Sequence, residues 1–226
     1  MLRFVTVLLV ALAVMPASGQ TPKPADGKLL TVVCLGDSIT HGGYPKHLGE
    51  ILHVEAINAG IGGNPSKAGL ARFPQDVLAH KPDAVVILFG TNDSRIDAPG
   101  VYATPEQYAR NLTKMVKSCQ ESKIKVLLCT LPPINQTPYF QRHKKAAFDK
   151  AGGLDKILAS YRQAALGVGK ATQTPVVDLN QLLASDLSWL SKDGVHPTPQ
   201  GYEHLARIIA KELAPILGLT IEGKSK

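Results

Sequence analysis

Val32-Val33-Cys34-Leu35, followed directly by Gly36-Asp37-Ser38-Ile39-Thr40, is the stretch on which the fold turns. Its apolar half is short, β-branched at the start and free of polar residues. Such a run suits a strand buried on both faces of a parallel sheet. Gly36 lets the backbone turn, and Ser38 falls where the strand hands over to a helix. Open α/β sheets gather ligands at the carboxyl ends of their strands, which makes Ser38 a candidate nucleophile. A serine after Gly-Asp is also an ordinary turn residue. The rest of the chain must therefore supply a base, a group that orients it, and oxyanion donors.

Working outward, residues 29–35 read as the first strand, 44–53 as a short helix and 54–58 as a second strand. Residues 59–66 form a loop holding Gly60, Gly62 and Gly63. A helix over 67–80 follows, which Pro74 bends or interrupts. Residues 84–89, Ala-Val-Val-Ile-Leu-Phe, make the clearest buried strand, and it ends at Gly90-Thr91-Asn92-Asp93. Thr104, Pro105 and Gln107 spell a capping box, after which Tyr108, Leu112, Met115, Val116 and Cys119 recur at helical spacing. Residues 124–130 read as a fourth strand, 134–150 as a loop with a short helix, 154–167 as a helix and 175–179 as a fifth strand. Thr198 and Pro199 open a last helix whose Leu205, Ile208, Ile209 and Leu213 face inward. Strands alternate with helices throughout. The pattern predicts one doubly wound α/β domain with a mostly parallel sheet of about five strands.

Composition narrows the classes. The 226 residues suffice for one such domain, with 44% hydrophobic and 19% charged residues, the balance of a globular protein. Residues 1–19 differ: Arg3, the apolar run from Phe4 to Met15, then Ala17-Ser18-Gly19 read as a cleaved secretory leader. Its apolar core is too short to serve as a stable membrane anchor. The expected layout is a leader over 1–19, a linker over 20–28, the domain over 29–217 and a tail over 218–226. A secreted or periplasmic location follows from the leader. Arg3 is the single charge in the leader, so removing it lowers the net charge from +7 to +6. The basic residues are scattered apart from Arg142-His143-Lys144-Lys145, with no basic and aromatic stripe, which argues against a nucleic-acid partner. Three cysteines cannot close a disulfide framework; Cys34 and Cys129 sit in strands, and buried free thiols are expected, although a Cys119–Cys129 bridge is conceivable.

Four polar stretches follow strand ends or close the domain, and in a parallel sheet they can converge on one rim. Serine acyl transfer needs a base, an orienter and donors for the developing oxyanion. His196 is the candidate base, since histidine titrates near neutrality. Asp193 lies three residues earlier in Asp193-Gly194-Val195-His196-Pro197, so a single turn brings its carboxylate to Nδ1 and leaves Nε2 for Ser38. The side chain of Asn92, the N–H of Gly63 and the N–H of Ser38 are the candidate oxyanion donors. Singly, each of these is an ordinary turn residue.

Together these blocks resemble the SGNH (GDSL-type) hydrolases, esterases and lipases named for Ser, Gly, Asn and His in separate sequence blocks. The resemblance rests on Gly36-Asp37-Ser38-Ile39-Thr40, Asn58-Ala59-Gly60-Ile61-Gly62-Gly63-Asn64, Gly90-Thr91-Asn92-Asp93 and Asp193-Gly194-Val195-His196-Pro197, and spans roughly residues 29–217. It implies a flavodoxin-like three-layer α/β/α sandwich and hydrolysis through an acyl-enzyme, without metal or other cofactor. It implies Ser38 as nucleophile, Asp193 and His196 as orienter and base, and Ser38, Gly63 and Asn92 as the oxyanion hole. Gly60, Gly62 and Gly63 compete for the family glycine; Gly63 fits the spacing to Asn58 and to the following Gly69-Leu70-Ala71-Arg72. Asp37 is read as fixing the turn.

The substrate is less legible. Export and family together suggest an ester outside the cytoplasm, an acetylated glycan, a lipid or a small acyl ester, with carbohydrate O-deacetylation preferred. Tyr139 and Phe140 either stack a sugar ring or anchor their loop to the core. A lysophospholipase or thioesterase, and a catalytically silent glycan-binding domain, are the competing readings; a metal site of Asp37, His41, Asp93 and Asp193 ranks last.

Overall fold

The computed structural model describes residues 28–221. The expected leader, nearly all of the linker, and residues 222–226 of the tail lie outside the described residues. Strands β1 (Thr31–Gly36), β2 (Glu55–Gly60), β3 (Ala84–Leu88), β4 (Lys125–Cys129) and β5 (Val176–Val177) form a parallel sheet in the order β2-β1-β3-β4-β5. That is the flavodoxin-like order, with its topological switch between β1 and β3. Gly36 is registered against both Gly60 and Leu88, and Leu88 against Cys129. The loops after β1, β2, β3 and β4 therefore leave from one rim.

The strand residues alternate between two cores. Val33, Leu35, Val85 and Ile87 pack with Phe73, Leu112 and Tyr161, which belong to α3 (Ser66–Asp76), α4 (Pro105–Glu121) and α7 (Leu154–Thr172). Val32, Cys34, Val86 and Leu88 pack with Leu48, Leu205 and Ile209, from α2 (Tyr44–Leu52) and α9 (Pro199–Leu217). Two helical layers thus cover the sheet. Short helices α1 (Ser38–His41), α5 (Gln136–Tyr139), α6 (Lys145–Lys150) and α8 (Leu179–Leu183) lie in the connections. The capping box expected at α4 is present in full, the Thr104 hydroxyl accepting from Gln107 N–H and the Gln107 side chain from Thr104 N–H. Cys34, Cys119 and Cys129 are buried and unbridged, and burial pushes the thiols of Cys34 and Cys119 up to about 12.

Several boundaries move. The fifth strand shrinks from 175–179 to two residues because Asp178 caps α8, accepting from Gln181 N–H at 3.3 Å, and Leu179 opens that helix. Pro74 sits inside α3 without breaking it; the helix runs to Asp76, and a 3-10 turn at Leu78–His80 follows. Helix α7 continues five residues past the expected end at 167, to Thr172, and is capped by the αL residue Gln173.

Gly36 closes β1 where no side chain fits. A Cβ there would lie 2.6 Å from the Leu88 carbonyl oxygen and 2.0 Å from Thr40 Oγ1. The Leu88 carbonyl belongs to the central ladder and cannot retreat. Gly36→Ala is expected to cost about 1–3 kcal/mol by overpacking, read as a lower urea midpoint with an unchanged slope.

Candidate active site

Ser38 is the first residue of α1, directly after β1, and is half-buried. Asp37 caps that helix, its Oδ1 accepting from Ile39 N–H at 2.9 Å. The Ser38 Oγ meets His196 Nε2 at 2.8 Å, and His196 Nδ1 meets Asp193 Oδ2 at 2.5 Å. The structure thus joins serine, imidazole and carboxylate in one line, across 158 positions of sequence between Ser38 and His196. With the Nδ1 proton donated to the carboxylate, Nε2 is free to accept from the serine hydroxyl.

The loop carrying Asp193 and His196 folds on itself. Asp193 Oδ1 accepts from Val195 N–H at 2.8 Å, His196 N–H at 2.9 Å and Ser191 Oγ at 3.0 Å. Burial alone would raise the Asp193 carboxyl. The His196 imidazole and these N–H and O–H donors outweigh it and hold the group well below the usual carboxylate range. Gly194 has φ +77°, and a Cβ there would lie 2.6 Å from the Asn135 carbonyl oxygen. Glycine is therefore required between the two catalytic candidates. From the neighbouring loop, Arg142 Nη2 donates to the Asp193 carbonyl at 2.9 Å.

The proposed donors lie on the two neighbouring loops. Asn92, nearly buried after β3, points Nδ2 at the Asn64 carbonyl at 3.2 Å and at Asp37 Oδ2 at 3.4 Å. Gly63 sits in an exposed turn with φ +74°. Among the described residues its N–H meets no acceptor. Asp37 does more than fix the turn, since it also receives the Asn92 amide. Asp93 is fully buried and accepts from Ser66 N–H at 3.0 Å and Ser66 Oγ at 2.5 Å, which fastens the start of α3 to the loop after β3. Sequence reasoning assigned no task to Ser66 or Arg142, and to Asp93 only a place in the lowest-ranked metal site. For Asp93 alone there was a signal, a carboxylate adjoining Asn92.

Other candidates come out differently. The Tyr139 ring is 1% exposed and packs edge-on against Phe140 and Phe148. These rings anchor their loop, and Tyr139 presents no face for a sugar. Of the four metal candidates, His41 Nδ1 lies 3.2 Å from the Gly60 carbonyl and Asp93 is taken up by Ser66. Among the described residues no three His, Cys, Asp or Glu side chains form a group able to hold a metal.

The buried carboxyl of Asp37 titrates far from its usual range. Burial pushes it up to about 7, against the Ile39 N–H and with help from Asp93. Burial likewise pushes Asp93 up to about 6, against the Ser66 donors. A carboxyl whose folded pKa is raised binds more protons folded than unfolded between the two values. Its contribution to stability is full below pH 4 and is lost as pH rises toward 7. Asp37→Asn removes one such group while keeping an oxygen for Ile39 N–H. The variant is expected to gain stability relative to wild type on going from pH 4.5 to pH 8, measured by urea unfolding at both values.

Residues 34–204 match the model of the GDSL-like lipase/acylhydrolase family. The chain belongs to that family. This GDSL-type chain is 29% identical over 203 residues to an arylesterase of Vibrio mimicus, covering 84% of this chain and 89% of that protein. It is 27% identical over 226 residues to an acetylxylan esterase of Xylanibacter ruminicola, covering 84% of this chain and 44% of that longer protein. The solved structure of a lipase/acylhydrolase from Enterococcus faecalis superimposes with a TM-score of 0.71 at 26% identity, covering 86% of this chain and all of that one. Family and relatives together make the GDSL-type protein a carboxylic ester hydrolase. Among the described residues no helix is long and apolar enough to cross a membrane.

Proposed function

We propose that this protein is a carbohydrate O-acetylesterase working through an acyl-enzyme on Ser38, exported by a leader over 1–19 as a single domain over 29–217. The observation that carries the mechanism is the 2.8 Å approach of His196 Nε2 to Ser38 Oγ, backed by Asp193. Ser38 Oγ attacks the acetyl carbonyl carbon and its proton passes to Nε2. The carbonyl oxygen, now negative, accepts from the N–H of Ser38, the N–H of Gly63 and the Asn92 amide. The 3.4 Å contact of Asn92 with Asp37 is the weaker of its two and is the one the oxyanion replaces. The tetrahedral species collapses, and His196 returns the proton to the departing sugar hydroxyl. Water, activated by the same imidazole, then releases acetate and regenerates Ser38.

The likeness to an acetylxylan esterase supports the acetylated-glycan substrate. The test is acetate release from acetylated xylan and acetylated pectin beside a series of p-nitrophenyl esters from acetyl to dodecanoyl. Acetate release and a kcat/KM that falls with acyl length are the expected results. Hydrolysis confined to long-chain esters overturns the acetylesterase reading and favours a lysophospholipase or thioesterase.

A further inference from the structure

Arg72, on α3, touches neither Ser38 nor His196, yet its guanidinium gathers four acceptors around them. Nη2 donates to the Gly36 carbonyl at 2.9 Å, Nη1 to the Ala59 carbonyl at 2.8 Å and to Asp76 Oδ2 at 2.5 Å, and Nε to Asn64 Oδ1 at 3.2 Å. The Arg72 side chain is 14% exposed. Gly36 ends the strand that delivers Asp37 and Ser38; Ala59 lies one residue from the end of β2; Asn64 directly follows Gly63. One planar cation therefore ties two strand ends to the loop between β2 and α3. The same Gly36 carbonyl also accepts from Ile61 N–H at 3.1 Å, and the Asn64 carbonyl receives the Asn92 amide at 3.2 Å.

The turn at Gly63 is closed by Asn64 N–H donating to the Ile61 carbonyl at 3.2 Å, but no side chain packs on it: a Cβ built on Gly62 or on Gly63 meets nothing within 4 Å. Its position relative to the sheet comes from hydrogen bonds at its flanks: Arg72 to Ala59 and Ile61 N–H to the Gly36 carbonyl on the side before it, Arg72 and Asn92 to Asn64 on the side after it. An i,i+4 ion pair on a helix, such as that with Asp76, is by itself worth only about 0.5 kcal/mol. It does not explain a guanidinium turned onto two main-chain carbonyls. A lysine in its place brings one compact charge, not a fork with five fixed donors.

We propose that Arg72 is a positioning residue of the oxyanion hole. It holds the Gly63 N–H and, through Asn64, the Asn92 amide where the tetrahedral oxygen forms. The inference rests on the reading above that Gly63 and Asn92 are oxyanion donors. A donor misplaced by about 1 Å costs on the order of a hundredfold in rate. Arg72→Ala is accordingly expected to lower kcat on p-nitrophenyl acetate about 100-fold, with KM within about threefold. Affinity for a small alkylboronic acid, which forms a tetrahedral adduct on the serine, falls by a similar factor. Guanidinium chloride at tens of millimolar raises the kcat of Arg72→Ala at least about tenfold and leaves wild type unchanged; Arg72→Lys recovers little.

Asp76→Asn separates the ion pair from the carbonyl contacts, and its kcat stays within about twofold of wild type. Circular dichroism and the urea midpoint establish that each variant is folded under assay conditions. A kcat for Arg72→Ala within threefold of wild type overturns the proposal, and so does a loss that guanidinium does not relieve. Ser38→Ala and Asn92→Ala are assayed in parallel. If those two stay active, the acyl-enzyme reading itself fails; if they are inactive while Arg72→Ala is active, only the role of Arg72 fails.

Discussion

Ser38→Ala is expected to lower kcat for acetyl esters by at least about ten-thousandfold, and to abolish labelling of the protein by a fluorophosphonate probe. The size follows from what remains. Without Oγ, His196 has nothing to activate except water, and the covalent route closes. The oxyanion donors survive and give a residue of catalysis above the uncatalysed rate. Stability changes little, because Ser38 is half-buried and the side-chain partner of its Oγ is His196. The measurement is a steady-state assay at pH 7.5, with the urea midpoint as control for folding. Full hydrolysis by Ser38→Ala would falsify the mechanism.

Asp193→Asn is expected to lower kcat about 10³- to 10⁴-fold, with KM nearly constant. The amide oxygen can still receive the N–H groups of Val195 and His196, now taken by Oδ1 at 2.8 and 2.9 Å. The amide nitrogen then faces His196 Nδ1 as a donor. Nδ1 has to accept, so the ring proton moves to Nε2, the nitrogen beside Ser38 Oγ. A protonated Nε2 cannot act as a base, although the geometry of the loop is kept. The wild-type carboxyl, held well below the usual range, stays ionised throughout the neutral pH region. The loss should therefore persist from pH 6 to pH 8 in a pH–rate profile. A loss below tenfold would mean that the carboxylate does not set the tautomer.

The sheet was legible because its evidence is local. Val32 to Leu35 and Val85 to Leu88 are at most 1% exposed, and an unbroken apolar run is what a strand covered on both faces requires. The Thr104–Gln107 and Thr198–Pro199 starts were equally legible, since a cap and its partner lie within one turn. Ser38 and Asn92 could be singled out because each follows a strand, and Asp193 and His196 because they lie three residues apart in the loop before the Thr198–Pro199 helix start. Their convergence on one rim needed only the parallel order. The contacts of Arg72 were not legible: two of its four acceptors are main-chain carbonyls, which carry no residue type to read. Asp178 is similar. Its pairing with Arg162 and its capping of α8 compete with strand propensity, and the result cut β5 to two residues. For Tyr139 and Phe140 the sequence admits two roles, and only packing against Phe148 decides between them.

Helix α9 packs against α2 and closes one face of the sheet, and the loop that opens it brings His196 to Ser38. On the proposed mechanism the nucleophile is thus synthesised 158 positions before its base. A contact spanning 158 positions carries a large loop-closure cost and forms after the local structure around it. An unfinished chain holds a serine with no base, and cannot cleave the esters it meets while it is being made. On refolding, hydrolysis should return after the bulk of the helical signal, when α9 docks. On the proposed mechanism, activity is therefore a report on the docking of α9.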